Sequence, residues 1–180
     1  MNTTWEDVIR FWFEECSPQQ WWGGDSSFDE LIRSHFLETH GAVARGETTD
    51  WRVLPKGRLA EVIVLDQFSR NMFRGTPNAF AFDSLALALA EEAVQGKHDE
   101  KLSKVERQFL YMPFMHSESR TIHEKAIKLF EKIGSSGSDS YEVRHKEIID
   151  RFGRYPHRNA ILGRTSTPEE QEFLKTHKGF

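Results

Sequence analysis

The sequence predicts an all-α protein: a small α-solenoid or irregular array of about eight or nine helices joined by short loops. Apolar residues recur at three- and four-residue intervals along nearly the whole chain. Capping signals stand ahead of most of these runs. No stretch reads convincingly as a strand, and no repeat is visible at the level of letters.

Thr3 or Thr4 caps a first helix, with Glu6 or Asp7 three residues on as in a capping box. That helix carries Trp5, Val8, Ile9, Trp12 and Phe13 and ends near Cys16, ahead of Ser17-Pro18. QQWWGG, residues 19–24, reads as a loop with two indole rings to bury. Ser27 and Glu30 form another capping box before Phe28, Leu31, Ile32, His35 and Phe36, with Gly41 or Gly46 as the stop. Residues 55–74 open with Pro55 and close at Gly75. Val62-Ile63-Val64-Leu65 alone could be a strand, but the pattern continues for about twenty residues without a turn signal, longer than strands run. Apolar side chains on every side make this helix central and buried.

Thr76-Pro77 supplies an N-cap and a proline at the first helical position. The helix it starts holds Phe82, Leu85, Ala86, Leu89 and Ala93 and stops at Gly96. Ser103 and Glu106 begin the next, through Phe109, Leu110 and Met112, which Pro113 kinks or ends. Ser117 or Ser119 caps a helix with Ile122, Ala126, Leu129, Phe130 and Ile133 on one stripe, and GSSGS (residues 134–138) is a flexible loop. Tyr141, His145, Ile148, Ile149 and Phe152 form the following stripe, closed by Gly153. A short helix is expected from Pro156 to Gly163, and Thr167-Pro168 with Glu170 starts a last amphipathic one.

At 180 residues the chain fits one domain, residues 1–180, and can bury roughly 70% of the surface its unfolded form exposes. Five Trp and fourteen Phe supply large side chains for a core. The net charge of −4 argues against a nucleic-acid binder, which shows a basic excess. No apolar run reaches the ~20 residues of a membrane span, and MNTTWED lacks the basic and apolar regions of a secretory signal, so a cytoplasmic location is expected. The lone Cys16 excludes an internal disulfide. No metal or cofactor is expected. There is no Gly-rich phosphate loop and no HExxH, and Glu142-x-x-His145 occurs once where a di-iron bundle needs two such motifs. The oligomeric state is not set by the sequence.

Three stretches carry candidate chemistry. In Asp66-Gln67-Phe68-Ser69-Arg70, the acid and the arginine lie one helical turn apart on an apolar stripe, so their charges are at least partly buried and must be paired. They form either a structural pair or the lining of a polar pocket; Arg74, on nearly the same side, favours the pocket, because one Asp cannot neutralise two arginines. In Met115-His116-Ser117-Glu118, His116 could serve as a general base oriented by Glu118, or the stretch is a plain helix junction with capping serines. Residues 151–164 hold Arg151, Arg154, Arg158 and Arg164 and no acid, against the trend of the chain. A helix starting at Pro156 would place His157, Arg158 and Asn159 in its first turn, where free N–H groups and the dipole attract anions. An anion gripped by Arg154 or Arg158 would offset the cost of cations there; the alternative is pairing with acids from other helices.

Leu65-Asp66-Gln67-Phe68-Ser69-Arg70-Asn71-Met72-Phe73-Arg74-Gly75, Tyr111-Met112-Pro113-Phe114-Met115-His116-Ser117-Glu118 and Arg151-Phe152-Gly153-Arg154-Tyr155-Pro156-His157-Arg158-Asn159 together resemble the bacterial domain-of-unknown-function (DUF) 924 family. VIRFWFEE and QQWWGGD fit its N-terminal pattern. The resemblance spans essentially the whole chain and implies a tetratricopeptide-like (TPR-like) α–α superhelix, without implying an activity.

Taken together, Asp66, Arg70, Arg74, His116, Glu118, Arg154, His157 and Arg158 are expected to line one polar cavity, with Asn159 beside them. The leading function is binding of a small anionic molecule, a phosphate or carboxylate. An enzyme using the same cavity, with His116 or His157 as acid–base and Glu118 assisting, is the alternative. A TPR-like protein-interaction module is a third reading, disfavoured because the charge gathers in three nonrepeated segments.

Overall fold

The structure, a computed structural model, describes residues 3–137, 140–177 and 179. Met1 and Asn2 of the expected non-signal start and Ser138 of the expected flexible loop lie outside the described residues. Among the described residues every regular element is helical. The chain divides into two compact units: residues 1–74 with 78–113, and residues 75–77 with 114–180.

The first unit begins with α1 (Trp5–Arg10), capped by Thr4 and Asp7 in the expected box. It continues as a π-helical turn over Phe11–Glu15. The WW stretch is not a loop: α2 (Pro18–Trp22) forms there, because Ser17 and Gln20 make a capping box and Pro18 occupies its first turn. Trp21 then donates its indole N–H to the Trp12 carbonyl at 2.8 Å, while Trp22 stays 57% exposed and stacks on Phe109. α3 (Ser26–Ala44) is capped by Asp25 rather than by Ser27. It runs through Gly41 and stops before Gly46.

Residues 55–72 are helical, as the length argument required, and not a strand: α4 (Pro55–Ile63), a π-helical turn over Val64–Phe68, and α5 (Ser69–Met72). Gly57 is fixed by contact. A Cβ there would lie 2.0 Å from the Trp51 carbonyl oxygen, which belongs to a 3-10 turn over Thr49–Val53. The two π turns pack on each other through rings, Trp12 on Phe68 at 5.6 Å and Phe11 on Phe68 at 6.0 Å. With Phe28, Phe36 and Phe109 these rings make the core. Each such buried side chain contributes about 1.5–3 kcal/mol.

Thr76-Pro77 does not start a helix. Pro77–Ala79 is a single 3-10 turn, and α6 (Asp83–Gln95) begins later, ending at Gly96. α7 (Lys104–Met115) uses the Ser103–Glu106 box and continues past Pro113. The proline sits in its last turn, so one missing N–H bond costs little helix.

The second unit contains α8 (Arg120–Lys132), α9 (Tyr141–Phe152) and α10 (Pro168–Thr176). Gly153 ends α9 in the left-handed conformation, φ +71°, which a side chain rarely adopts. The expected helix at Pro156–Gly163 shrinks to a 3-10 turn over Pro156–Arg158. Ile148, Ile149 and Tyr155 form a small core with Phe152 and Phe173 against it.

Candidate functional site

In the first unit Asp66 lies on the second π turn with no exposure. Its carboxylate meets Gln67 and, at 3.1 Å, the Arg70 guanidinium, so the sequence-adjacent pair forms. Arg70 also makes a two-pronged pair with Asp83 of α6 at 2.8 and 3.0 Å. Arg74 makes another with Asp29 of α3 at 2.5 and 2.8 Å, and Asn71 binds the same carboxylate. Asp66 therefore does not have to neutralise two arginines. Asp83, 13 residues from Arg70, and Asp29, 45 residues from Arg74, supply the missing charge.

The second and third motifs meet inside the second unit. Glu118 accepts the Tyr155 backbone N–H at 2.7 Å, and Arg158 donates to the His116 carbonyl at 3.0 Å. Tyr155 is fully buried and held at several atoms. Its hydroxyl donates to the Met115 carbonyl at 2.5 Å, and its carbonyl accepts from Arg164 at 3.2 Å. The Arg158 guanidinium lies 4.6 Å above its ring, a cation–π arrangement.

Glu118 is held by Arg164. Both its oxygens accept from Arg164, at 2.7 and 2.9 Å. Burial pushes its carboxyl up, but Arg164 and the Tyr155 N–H outweigh this and hold it below the ordinary carboxylate value. It is an anchor, ionised at neutral pH. Arg154 likewise grips Glu170, at 2.7 and 2.8 Å, and the Thr165 carbonyl. That pair, led by the Arg154 hydrogen bonds, lowers the Glu170 carboxyl to about 2. Asn159 joins the two pairs: its Oδ1 accepts from Arg164 Nε, and its Nδ2 donates to Glu170 and Ser166. For Arg154, pairing with a carboxylate of another helix is what forms. The three-residue turn at Pro156 offers no helix dipole to draw an anion.

Histidines surround Tyr155. Rings of His145 and His157 lie 5.8 and 5.5 Å from its ring, and His123 lies at 6.4 Å. Burial lowers His145 to about 3, against the pull of its hydrogen bond to the Tyr141 carbonyl; the charges of His116, His123 and His157 lower it further. Burial and then the Arg158 charge lower His157 to about 4. Both are neutral at pH 7. His157 Nδ1 is buried without a hydrogen-bond partner.

From the sequence alone, Arg164, His123, Glu142 and Tyr155 have no assigned site role. Arg164 closes the acid-free basic stretch, and a cation was needed opposite Glu118, so it carried a usable signal. His123 and Glu142 sit on helix stripes among core residues and carried none. Among the described residues no group of three or more His, Cys, Asp or Glu is arranged to hold a metal ion, and no helix is long and apolar enough to cross a membrane.

A family model described as a bacterial protein of unknown function, DUF924, matches residues 8–178. No curated protein matches the chain. A solved structure of a protein of unknown function from Agrobacterium tumefaciens is 38% identical, with a TM-score of 0.89 over 96% of this chain and 97% of that one.

Proposed function

The chain belongs to the DUF924 family, and from that premise we propose that its second unit binds a small molecule carrying a carboxylate or phosphate, beside Tyr155 where His116, His157 and Arg158 come together. The observation that carries this reading is the buried, unpartnered Nδ1 of a neutral, half-buried His157 next to the buried Arg158 guanidinium. A buried polar group left without a partner costs about 1–3 kcal/mol, which a bound ligand atom removes. The Arg158 guanidinium, which also donates to the His116 carbonyl, adds the positive charge that an oxyanion favours. Arg154 is a strut in this reading, since Glu170 fills its fork.

An enzyme is the second reading, favoured by the same neutral His157. An imidazole held unprotonated at neutral pH can take a proton from a bound substrate.

Thermal unfolding of the wild type, Arg158→Lys and His157→Ala in millimolar inorganic phosphate and succinate, against matched chloride, tests the binding. The wild type gains about 2.7 kcal/mol at a hundred times the Kd, and both variants lose most of that gain. Equal stabilisation of all three proteins, or none of the wild type, rejects the site.

A further inference from the structure

His123 on α8 and Glu142 on α9 meet with Nδ1 2.7 Å from Oε1, and neither side chain is exposed. The other ring nitrogen fixes the proton count. Nε2 lies 2.8 Å from the Ser117 carbonyl oxygen and 3.2 Å from the Tyr155 hydroxyl oxygen. A carbonyl only accepts, so Nε2 carries a hydrogen. The Tyr155 hydroxyl gives its own hydrogen to Met115, so it does not compete for that role. A neutral ring of this tautomer presents a bare lone pair at Nδ1. An ionised carboxylate oxygen 2.7 Å from that lone pair would be repelled. One proton therefore lies between the two atoms, on the ring or on the carboxyl.

We infer that His123 and Glu142 share one buried proton and act as a pH-operated clasp between α8 and α9. Burial as the leading cause raises the Glu142 carboxyl above its ordinary value, against the bond to His123, in keeping with a retained proton. The second carboxyl oxygen, Oε2, has no partner. The other charged and titratable groups nearby are few. Lys146 of α9 bears on Glu142 but is itself bound by Glu124 of α8 at 2.9 Å and by Asp150 at 2.6 Å. His145 of α9 senses His123, His116 and His157, and Tyr155 touches the ring of His123. None of these is placed between Nδ1 and Oε1 to supply a substitute proton.

The sign follows from counting protons. An unfolded chain releases an ordinary histidine proton near 6.5, while the folded pair keeps one. Above that pH unfolding liberates a proton, so stability falls as pH rises, until the folded pair itself lets go. The loosened 2.7 Å contact then pushes the first turns of α8 and α9 apart.

Two measurements on the full chain decide this. In ¹⁵N-histidine-labelled protein, both ring nitrogens of His123 hold constant shifts from pH 5 to pH 8. A full titration step near the ordinary histidine value overturns the proposal. In urea unfolding above pH 7, the wild-type folding constant drops by up to tenfold per pH unit. Glu142→Gln, whose amide donates to Nδ1 at every pH, flattens that fall; an equally steep fall in the variant overturns the clasp. If Glu142→Gln does not fold, the ring-nitrogen titration of the wild type decides alone.

Discussion

Glu61 in the first unit and Glu142 in the second are both carboxylates buried inside helices, yet their surroundings differ in kind. Glu61 accepts from the Thr48 hydroxyl at 2.6 Å and from Arg52 at 2.7 and 3.2 Å, so both oxygens are used. Its cation cannot lose its proton under ordinary conditions. Glu142 meets a histidine through one oxygen and nothing through the other. The contrast extends over the two units. Arg52, Arg70 and Arg74 of the first unit all form two-pronged or multiple pairs with carboxylates, a framework whose cations stay charged near neutrality. The second unit encloses Tyr155 in histidines, two of which, His145 and His157, burial keeps uncharged. Chemistry that responds to its surroundings belongs where partners can change state.

The sharpest way to break the comparison is to make Glu61 resemble Glu142. Arg52→Met removes the guanidinium and leaves a carboxylate with only a hydroxyl. Removing one partner of a buried pair costs about 3–5 kcal/mol. Urea unfolding followed by tryptophan fluorescence reads this directly; a loss under about 1 kcal/mol would show the pair to be a surface-type contact. Gly57→Ala attacks the same corner through the backbone. Its methyl would enter the Trp51 carbonyl at 2.0 Å and displace the turn that brings Thr48 and Arg52 to Glu61. Overpacking of this kind costs about 1–3 kcal/mol. An unchanged urea midpoint would mean the turn moves freely, and the framework would not be rigid there.

The sequence revealed local features better than distant ones. The all-helical fold, the capping boxes at Thr4, Ser103 and Thr167, and the stop at Gly153 were legible because each depends on residues within one or two turns. The helix expected at Thr76-Pro77 failed because a proline favours a first turn without requiring the second. The i,i+4 pair of Asp66 and Arg70 was readable; the partners Asp83 and Asp29 were not, because tertiary contact selects among 28 acids without a mark in the letters. In the second unit Glu118 meets the Tyr155 backbone and Arg158 meets the His116 carbonyl, contacts between residues more than thirty positions apart. The arginine that serves Glu118 is Arg164, at the far end of the basic stretch.

The smallest expected effect separates the units by their acid response. His145 and His157 in the second unit, at about 3 and about 4, and His40 in the first, at about 4, are all depressed chiefly by burial from the ordinary 6.5. For a depressed histidine the stabilising contribution is whole above 6.5 and is lost as pH falls towards the folded value, because the unfolded chain takes up protons that the folded one refuses. Each such group adds a slope of up to about 1.4 kcal/mol per pH unit in that window. His145→Gln keeps a donor for the Tyr141 carbonyl and removes the titration. Urea unfolding between pH 6.5 and pH 4.5 should therefore become less steep by up to that one slope. His40→Gln, which keeps a hydrogen-bonding group for Ser69, should flatten it by a similar step. The second unit holds two of these three groups, so adding His157→Gln to His145→Gln must lower the slope further than either change alone. If the double variant is no flatter than His145→Gln, His157 is not held neutral, and the contrast between a charge-paired first unit and a histidine-walled second unit rests on His145 and the Glu142 pair alone.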